Sequence, residues 1–311
     1  MNSYIMKEVL SMSKYRIIAF DGGGIRGALS ITLLRRLWEK LPYLIRTTNL
    51  FAGTSTGSFI ALGLAKGLKA VDLAKLYSEE NGKAIFSPKS FNPFRPVCKN
   101  NNLKKILSEI FPSSLRLKDL KHRVLVTSFE VDDCISQSWN PIFLNNFPYS
   151  KTQYEYAIDA ALSSSAVPIL FPSHGRNIDG GIVAGNPSPS AIALAVDKNA
   201  GKQKIEDICL LSIGTGYNAL KIKSDTSKWG VIQWSLKTFP SPPLLNLMLD
   251  GAVEADTLFS SQLLGDKYFR LNPELEFPIA MTDYKKMPYL IELAEKVDLT
   301  NTIDWIKSNW S

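Results

Sequence analysis

The sequence predicts an α/β fold in which a mostly parallel central sheet is covered by helices on both faces. Short runs of β-branched and aromatic residues alternate with segments whose apolar residues recur at helical spacing. Two early strand-like runs end in glycine-rich turns, over residues 21–27 and 53–57, and an apolar helical segment follows each turn. Parallel strands need crossovers long enough to hold a helix, so this alternation indicates a mostly parallel sheet.

The elements follow one another in a regular order along the chain. Strands are predicted over residues 15–20, 49–52, 122–129 and 208–213, and helices over residues 28–41, 58–67, 153–162, 244–264, 289–297 and 303–310. The helix over 58–67 carries no charge before Lys66, and we expect it to be buried. Neither a repeat nor an obvious linker interrupts the chain. A single domain over residues 1–311 is therefore predicted, with the helical part over 240–311 packed on it.

The composition limits the classes of partner and cofactor. The formal net charge is +7, from 36 lysines and arginines against 29 acidic residues, which suits an anionic partner such as a phospholipid surface. The sequence has no arginine-rich tract and no helix-turn-helix or zinc-finger spacing, so nucleic acid is not expected as a partner. Three cysteines that are far apart and two histidines offer no metal-ligand spacing. We expect reduced thiols, no metal ion and no cofactor.

Residues 1–14 lack the continuous apolar core of a signal peptide. No uncharged apolar run is long enough to span a bilayer. The sequence therefore predicts a soluble protein that associates with a membrane only peripherally. The expected location is the cytoplasm, or a host cytosol to which the protein is delivered.

Ser55 stands at the centre of Gly-Thr-Ser-Thr-Gly, between a short strand and an apolar helix. This is the form of a nucleophile elbow, in which a strained turn presents a serine at a helix N-terminus. The neighbouring positions must be small because helix and strand backbones pack closely there, and they are glycines and threonines. A turn that merely caps a helix has the same composition, so the motif alone leaves catalysis open.

The other glycine turn, Asp-Gly-Gly-Gly-Ile-Arg-Gly over residues 21–27, matches the dinucleotide-binding pattern G-x-G-x-x-G. That function requires an acidic residue about 20 positions further on, to hold a ribose. Residues 41–48 contain none. The favoured interpretation is an oxyanion hole, in which unshielded glycine N–H groups point at one developing negative charge.

The group that removes the proton from the Ser55 hydroxyl is less evident from the residues. Ser55, then Asp132 or Asp133, then His174 follow the chain order of an α/β-hydrolase triad. His174 lies only five residues before a second acid-glycine turn, Asp-Gly-Gly, which begins at Asp179. A surface or packed histidine and an ordinary turn aspartate explain these residues as well.

Four motifs, taken in order, resemble those of the patatin-like phospholipases. They are Asp-Gly-Gly-Gly-Ile-Arg-Gly over 21–27, Gly-Thr-Ser-Thr-Gly over 53–57, Ser-Ser-Ser-Ala-Val-Pro over 163–168 and Asp-Gly-Gly over 179–181. The resemblance spans at least residues 15–216, and Tyr-Phe-Arg-Leu over 268–271 looks like the family's late strand. It implies a three-layer α/β/α sandwich and a serine–aspartate dyad without a histidine.

By this resemblance Ser55 is the nucleophile and Asp179 is the base. The implied activity is that of a lipid acyl hydrolase, of the phospholipase A or lysophospholipase type, which cleaves carboxylic esters of membrane lipids. An aspartate near its free pKa of about 4 is a poor base for a hydroxyl, so we expect burial to raise the pKa of Asp179.

The same resemblance assigns the oxyanion hole to Gly22, Gly23 and Gly24. Arg26 matches an arginine in the same loop of that family, where it either stabilises the turn or contacts a phosphate. Two other functions are compatible with these residues. One is an acyltransferase that uses the same acyl-enzyme, and the other is a ligand-activated or non-catalytic lipid-sensing protein on this fold.

Phe86, Phe91 and Phe94 lie among three prolines in residues 84–97, where we expect a loop because proline does not fit inside a regular element. Two roles stay open for these aromatic rings. They are candidates for docking on an anionic lipid surface, and equally for folding inward over the active site as an apolar lid. Trp229, Trp234 and the run over 239–248 are candidates for an acyl pocket, which core packing would explain as well.

Overall fold

The computed structural model describes residues 14–90, 92–133, 137–218, 222, 224–236 and 243–310. Seven strands form one sheet, with the order β4-β3-β2-β1-β6-β7, and β5 pairs with β3. The neighbours along β3-β2-β1-β6-β7 are parallel, whereas β4 and β5 are antiparallel to β3. The mostly parallel sheet is confirmed. The strands are β1 Tyr15–Phe20, β2 Leu50–Thr54, β3 Arg123–Asp133, β4 Ser138–Asn145, β5 Asn177–Asp179, β6 Ile208–Ile213 and β7 Tyr268–Leu271.

Twelve α-helices lie within the described residues. They are α1 Gly27–Lys40, α2 Tyr43–Thr47, α3 Thr56–Lys66, α4 Ala70–Ala74, α5 Glu79–Phe86, α6 Asn100–Ile110, α7 Ala157–Ser164, α8 Ser188–Val196, α9 Val231–Leu236, α10 Pro243–Leu264, α11 Met287–Lys296 and α12 Thr300–Asn309. No helix in this part of the chain is both long enough and apolar enough to cross a membrane.

The two faces of the sheet pack into two separate apolar cores. In β1, Ile18 and Phe20 belong to one core, and Ile17 and Ala19 belong to the other, because successive side chains of a strand point to opposite faces. Helices α1, α3, α11 and α12 contribute to the first core, and α8 and the end of α10 contribute to the second. The expected three-layer α/β/α arrangement is therefore confirmed.

Two boundaries differ from the predicted ones. Residues 84–86 are the last turn of α5 rather than part of a loop, and the helix ends just before the first of the three prolines, Pro88. The helix predicted over 153–162 begins only at Ala157. Residues 153 and 154 end a short 3-10 helix, and backbone hydrogen bonds of Glu155 and Ala157 to Leu117 and Leu115 hold the two residues before Ala157 extended.

The parallel strands bring two of the sequence motifs to one edge of the sheet. Phe20, the last residue of β1, pairs with Gly53 of β2, so the glycine loop after β1 and the turn after β2 are neighbours. The carboxyl ends of parallel strands are the usual place for a binding or catalytic site in such folds.

Candidate active site

Ser55 occupies a one-residue turn between β2 and α3, with φ 52° and ψ −122°. Positive φ is uncommon for a residue with a side chain and persists only where the surroundings hold it. The Ser55 N–H donates to Ser164 Oγ at 2.8 Å, and the Ser55 carbonyl accepts from the Ser58 N–H and hydroxyl at 2.9 and 2.6 Å. The turn thus has the geometry of a nucleophile elbow, and the serine-rich motif over 163–168 helps to fix it.

The glycines that flank Ser55 allow α3 to lie directly on the sheet. A Cβ atom at Gly53 would be 2.3 Å from the Gly57 carbonyl oxygen, and one at Gly57 would be 2.3 Å from the Phe20 carbonyl oxygen. Any side chain at these two positions would force α3 away from β1 and β2. The need for small residues at this turn therefore has a direct structural cause.

Asp179 is the last residue of β5, and its side chain lies beside Ser55. Its partner across the antiparallel pair is Ser128 of β3, and its N–H donates to the Ala166 carbonyl at 3.0 Å. The next residue, Gly180, packs so tightly on β3 that a Cβ atom there would be 2.2 Å from Thr127 Oγ1. The third and fourth sequence motifs are thus joined by backbone contacts that place this carboxylate.

The carboxyl group of Asp179 is nearly inaccessible, at 3% exposure. Its Oδ1 accepts from the Gly181 N–H at 2.7 Å, whereas Oδ2 has no partner with ordinary hydrogen-bond geometry among the described residues. Burial raises the pKa of Asp179 to about 7, against the opposing influence of the neighbouring Ser55 hydroxyl and the Gly181 N–H. The expected upward shift of this pKa is present, and its cause is desolvation.

The glycine loop presents two unused N–H groups near Ser55. Within the described residues, the N–H groups of Gly23 and Gly24 donate to nothing, although Gly24 is backed by Met281, whose carbonyl oxygen a Cβ atom would approach to 2.3 Å. Gly22 differs, because its N–H already donates to the Gly185 carbonyl at 3.0 Å. A Cβ atom at Gly22 would lie 3.3 Å from Ser55 Cβ.

The three glycines predicted for the oxyanion hole therefore differ in whether their N–H groups already donate a hydrogen bond. Gly23 and Gly24 keep free donors, and the inclusion of Gly22 as a donor needs correction because its N–H is occupied. Arg26 lies half-buried at the end of this loop, and its Nε donates to the Gly23 carbonyl at 3.4 Å. Of the two roles open for Arg26, that contact favours steadying the turn.

A buried ion pair behind the glycine loop was missed at the sequence level. Asp21, 2% exposed, accepts two hydrogen bonds from the Arg270 guanidinium, one of them at 2.8 Å, and Arg270 also donates to Ser212 Oγ at 2.8 Å. The three residues come from the carboxyl ends of β1, β7 and β6. An arginine inside an otherwise apolar and aromatic strand, Tyr-Phe-Arg-Leu, was the available signal.

The histidines and the other acids have partners of their own. His174 Nε2 lies 2.9 Å from Asp159 Oδ1, and the His122 ring packs edge-on against Phe51 with 5.5 Å between centroids. Asp132 lies 3.8 Å from Arg176 in an exposed ion pair. None of these contacts involves Ser55, so the structure offers no support for the triad that the chain order allowed.

An apolar pocket adjoins Ser55 and Gly24. Its walls come from α3, α5, α6 and the segment after α7, and include Phe59, Phe86, Leu107 and Phe171. The Phe86 ring is 7% exposed and packs against Phe171 at 5.8 Å.

Two of the three candidate phenylalanines lie in different surroundings. Phe86 faces inward, Phe94 is 94% exposed, and Phe91 lies outside the described residues. The proposed acyl-pocket role of Trp229 and Trp234 is wrong for this pocket, because they pack on each other, 4.9 Å apart, and are not among its lining residues. Residues 239–242 lie outside the described residues, and none of residues 243–248 lines the pocket.

Comparison with known proteins gives consistent matches. The family model for patatin-like phospholipases matches residues 18–192, a range that includes Ser55 and Asp179. Protein teg of Priestia megaterium is 36% identical over 96% of this chain and 100% of its own length. CotR of Bacillus subtilis is 34% identical over 96% of this chain and 99% of its own length. A cGAMP-activated phospholipase of Pseudomonas aeruginosa is 29% identical over 83% of this chain and 78% of its own length. The chain belongs to the patatin-like phospholipase family.

Proposed function

We propose that the protein is a lipid acyl hydrolase, of the phospholipase A or lysophospholipase type, with Ser55 as nucleophile and Asp179 as base. The observation that carries this proposal is the buried Asp179 carboxylate, which has a raised pKa and one unpartnered oxygen, next to a serine in a strained turn. Strongly shifted pKa values in a cleft are a common property of catalytic groups.

The proposed reaction has two halves. Asp179 Oδ2 takes the proton from Ser55 Oγ as that oxygen attacks the ester carbonyl carbon, and the resulting oxyanion accepts from the N–H groups of Gly23 and Gly24. The C–O bond of the ester then breaks, and the departing alcohol takes the proton from Asp179, which leaves an acyl group on Ser55.

In the second half, Asp179 takes a proton from water as the water oxygen attacks the acyl-enzyme. The bond between the acyl carbon and Ser55 Oγ breaks, and Ser55 recovers the proton from Asp179. The fatty acid leaves, and both residues return to their starting state. A base with a pKa of about 7 suits both proton transfers, because about half of it is ionised at neutral pH and its carboxylate form accepts a proton more readily than an ordinary one.

The apolar pocket supports a lipid rather than a peptide or sugar ester as substrate. It begins at Ser55 and Gly24 and continues between Phe86, Leu107 and Phe171, with few polar atoms along its walls. A fatty acyl chain placed there would keep the carbonyl carbon at Ser55 while its methylene groups leave water, which favours binding by about 0.8 kcal/mol per methylene group.

Product analysis on phospholipid vesicles tests this function. We expect the wild-type protein to release free fatty acid, together with lysophospholipid where only one acyl chain is removed, and Ser55→Ala to release neither. His174→Ala serves as the control and should retain wild-type turnover. Acyl transfer to an added alcohol without free fatty acid would identify an acyltransferase instead. If no product forms and a fluorophosphonate probe does not label Ser55, the hydrolase proposal is wrong.

A further inference from the structure

Helix α10 carries several of its large apolar side chains on the outside of the protein. Six large apolar residues, which we call the apolar stripe, are each about half exposed, for example Leu258 at 53%. With 3.6 residues per turn they lie within one arc of roughly 160° around the helix axis. The apolar stripe consists of Leu244, Leu247, Met248, Leu258, Phe259 and Leu263.

The face of α10 that points into the protein is mixed, because polar residues lie there beside the apolar Leu249, Val253 and Leu264. Asp256 Oδ2 accepts from the Asn186 N–H at 3.2 Å, and Thr257 Oγ1 accepts from Asn186 Nδ2 at 3.2 Å. Ser260 is fully buried. The helix therefore differs from an ordinary surface helix, because it buries polar side chains and leaves six large apolar ones exposed. Exposed apolar surface gathered on one side of a helix marks an interaction site.

The position of α10 relates this surface to the proposed catalytic pair. Leu249 lies 3.4 Å from the place of a Cβ atom on Gly181, two residues after Asp179, and Val253 packs just as closely on Gly185. An α-helix with its side chains is about 10 Å across. Whatever contacts the apolar stripe is held within roughly one helix diameter of the segment that follows Asp179.

The sequence that precedes α10 favours an anionic contact surface. Residues 219–242 contain four lysines and only one acidic residue, Asp225, together with Trp229 and Trp234; among the lysines only Lys228 lies within the described residues. Two apolar residues of α9, Val231 and Ile232, are also exposed, and α9 packs on α10. Lysines and tryptophans beside an apolar helical face are typical of helices that lie in the interface of an anionic bilayer.

The acidic side chains of α10 lie outside the apolar stripe. Asp256 is buried, whereas Asp250 and Glu254 are exposed, and their charges act on Arg26 and Arg270 respectively. Their negative charges are thus directed at cations of the protein itself, to one side of the apolar stripe.

We propose that α10, together with α9, docks the protein on the surface of a bilayer that contains anionic phospholipid, with the apolar stripe immersed at the boundary between headgroups and acyl chains. This location replaces the phenylalanine segment over 84–97 as the main lipid contact. The proposal rests on the proposed function for its biological sense, since a lipid hydrolase must reach its substrate in the bilayer, but docking itself is measurable without turnover.

Vesicle cosedimentation in the Ser55→Ala background tests docking while no lipid is consumed. We expect the protein to sediment with vesicles of phosphatidylcholine mixed with phosphatidylglycerol, and more weakly with phosphatidylcholine alone. Adding Leu247→Glu and Leu258→Glu should weaken sedimentation about tenfold or more, because two apolar side chains no longer leave water. Trp139→Gln, which alters an exposed apolar residue on β4, is the matched control and should sediment unchanged.

Three further measurements complete the experiment. Leu247→Gln with Leu258→Gln repeats the test without new charge, and an unchanged thermal unfolding midpoint shows that either pair still folds. With Ser55 present, both pairs should hydrolyse a soluble short-chain ester at the wild-type rate, so that failure of hydrolysis and failure of docking are told apart. The proposal is overturned if the protein binds neither vesicle, if Phe94→Gln alone removes binding, or if the stripe variants only convert a dimer to a monomer.

Discussion

The two helices that pack against the segments of Ser55 and Asp179 differ in which apolar side chains they expose. Helix α3, which follows Ser55, is buried from Thr56 to Ala65, and its neighbours are the backbones of β1 and β2. Helix α10, which packs against the segment after Asp179, buries polar residues and exposes the apolar stripe. Both helices are rich in apolar residues, so apolar content alone does not say which way a helix faces.

The difference follows from what lies beneath each helix. Under α3 the sheet presents main chain and small residues, and close approach leaves room only for glycine and for small side chains such as that of Ser58. Under α10 lie Asn186 and, behind it, Ser212 and the ion pair of Asp21 and Arg270, so the inward face must supply hydrogen-bond partners. Buried polar groups require partners, and this requirement explains why α10 carries Asp256 and Ser260 on its inward face.

The largest effect is expected from breaking the ion pair beneath α10. Arg270→Met leaves the Asp21 carboxylate buried without its cation, which should lower the free energy of unfolding by about 3–5 kcal/mol. Because Asp21 directly precedes the glycine loop, turnover of a short-chain ester should fall as well. Arg270→Lys should be intermediate. Denaturant unfolding checks the first effect, and a loss below about 1 kcal/mol for Arg270→Met would contradict it.

An opposite effect is expected at Asp256, on the inward face of α10. Burial raises the pKa of this carboxyl from its usual 3.8 to about 7. The folded protein binds this proton more tightly than the unfolded chain does. The proton therefore stabilises the folded state fully at pH values below the unfolded-state pKa, and this contribution is lost as the pH rises through about 7. Asp256→Asn should therefore exceed the wild type in stability at pH 8, by at most about 4 kcal/mol.

The pH dependence separates this explanation from a general packing change. Thermal unfolding should show the advantage of Asp256→Asn growing between about pH 4 and pH 7 and vanishing in more acidic solution. An advantage that is the same at pH 4 and pH 8 would mean that titration of Asp256 does not cause it.

A pair of glycine variants compares the two helices at one residue each. At Gly57 in α3 a Cβ atom would be 2.3 Å from the Phe20 carbonyl oxygen, whereas at Gly251 in α10 no atom lies within 4 Å. Gly57→Ala should destabilise the protein by about 3 kcal/mol and reduce ester hydrolysis, because it displaces Ser55. Gly251→Ala should raise stability by up to about 1 kcal/mol through its better helix propensity. Equal effects of the two variants on thermal unfolding would contradict this contrast.

Local chemistry made part of this site predictable. The turn at Ser55, the glycine loop and the Asp179 turn each lie within a few consecutive residues, and short-range steric rules apply to them directly. The alternation of strands and helices likewise predicted the parallel sheet. These features depend on neighbours in sequence, so they can be predicted without any tertiary information.

Features that join distant segments were not predictable. Asp21 and Arg270 are 249 positions apart. The occupied N–H of Gly22 depends on the Gly185 carbonyl, and the inward position of Phe86 depends on where α5 ends and where Phe171 lies. Each of these is set by how elements meet across the fold, about which the local pattern carries little information.

The rate at which a fluorophosphonate probe labels Ser55, measured against pH, tests the role of Asp179 as its base. In the wild type the rate should rise with pH and level off above about 7, because only the ionised carboxylate accepts the Ser55 proton. His174→Ala should give the same curve. Labelling of Asp179→Asn should be slower by at least about 100-fold, with no inflection near pH 7. Labelling of Asp179→Asn at the wild-type rate, or loss of labelling in His174→Ala, would contradict the serine–aspartate pair.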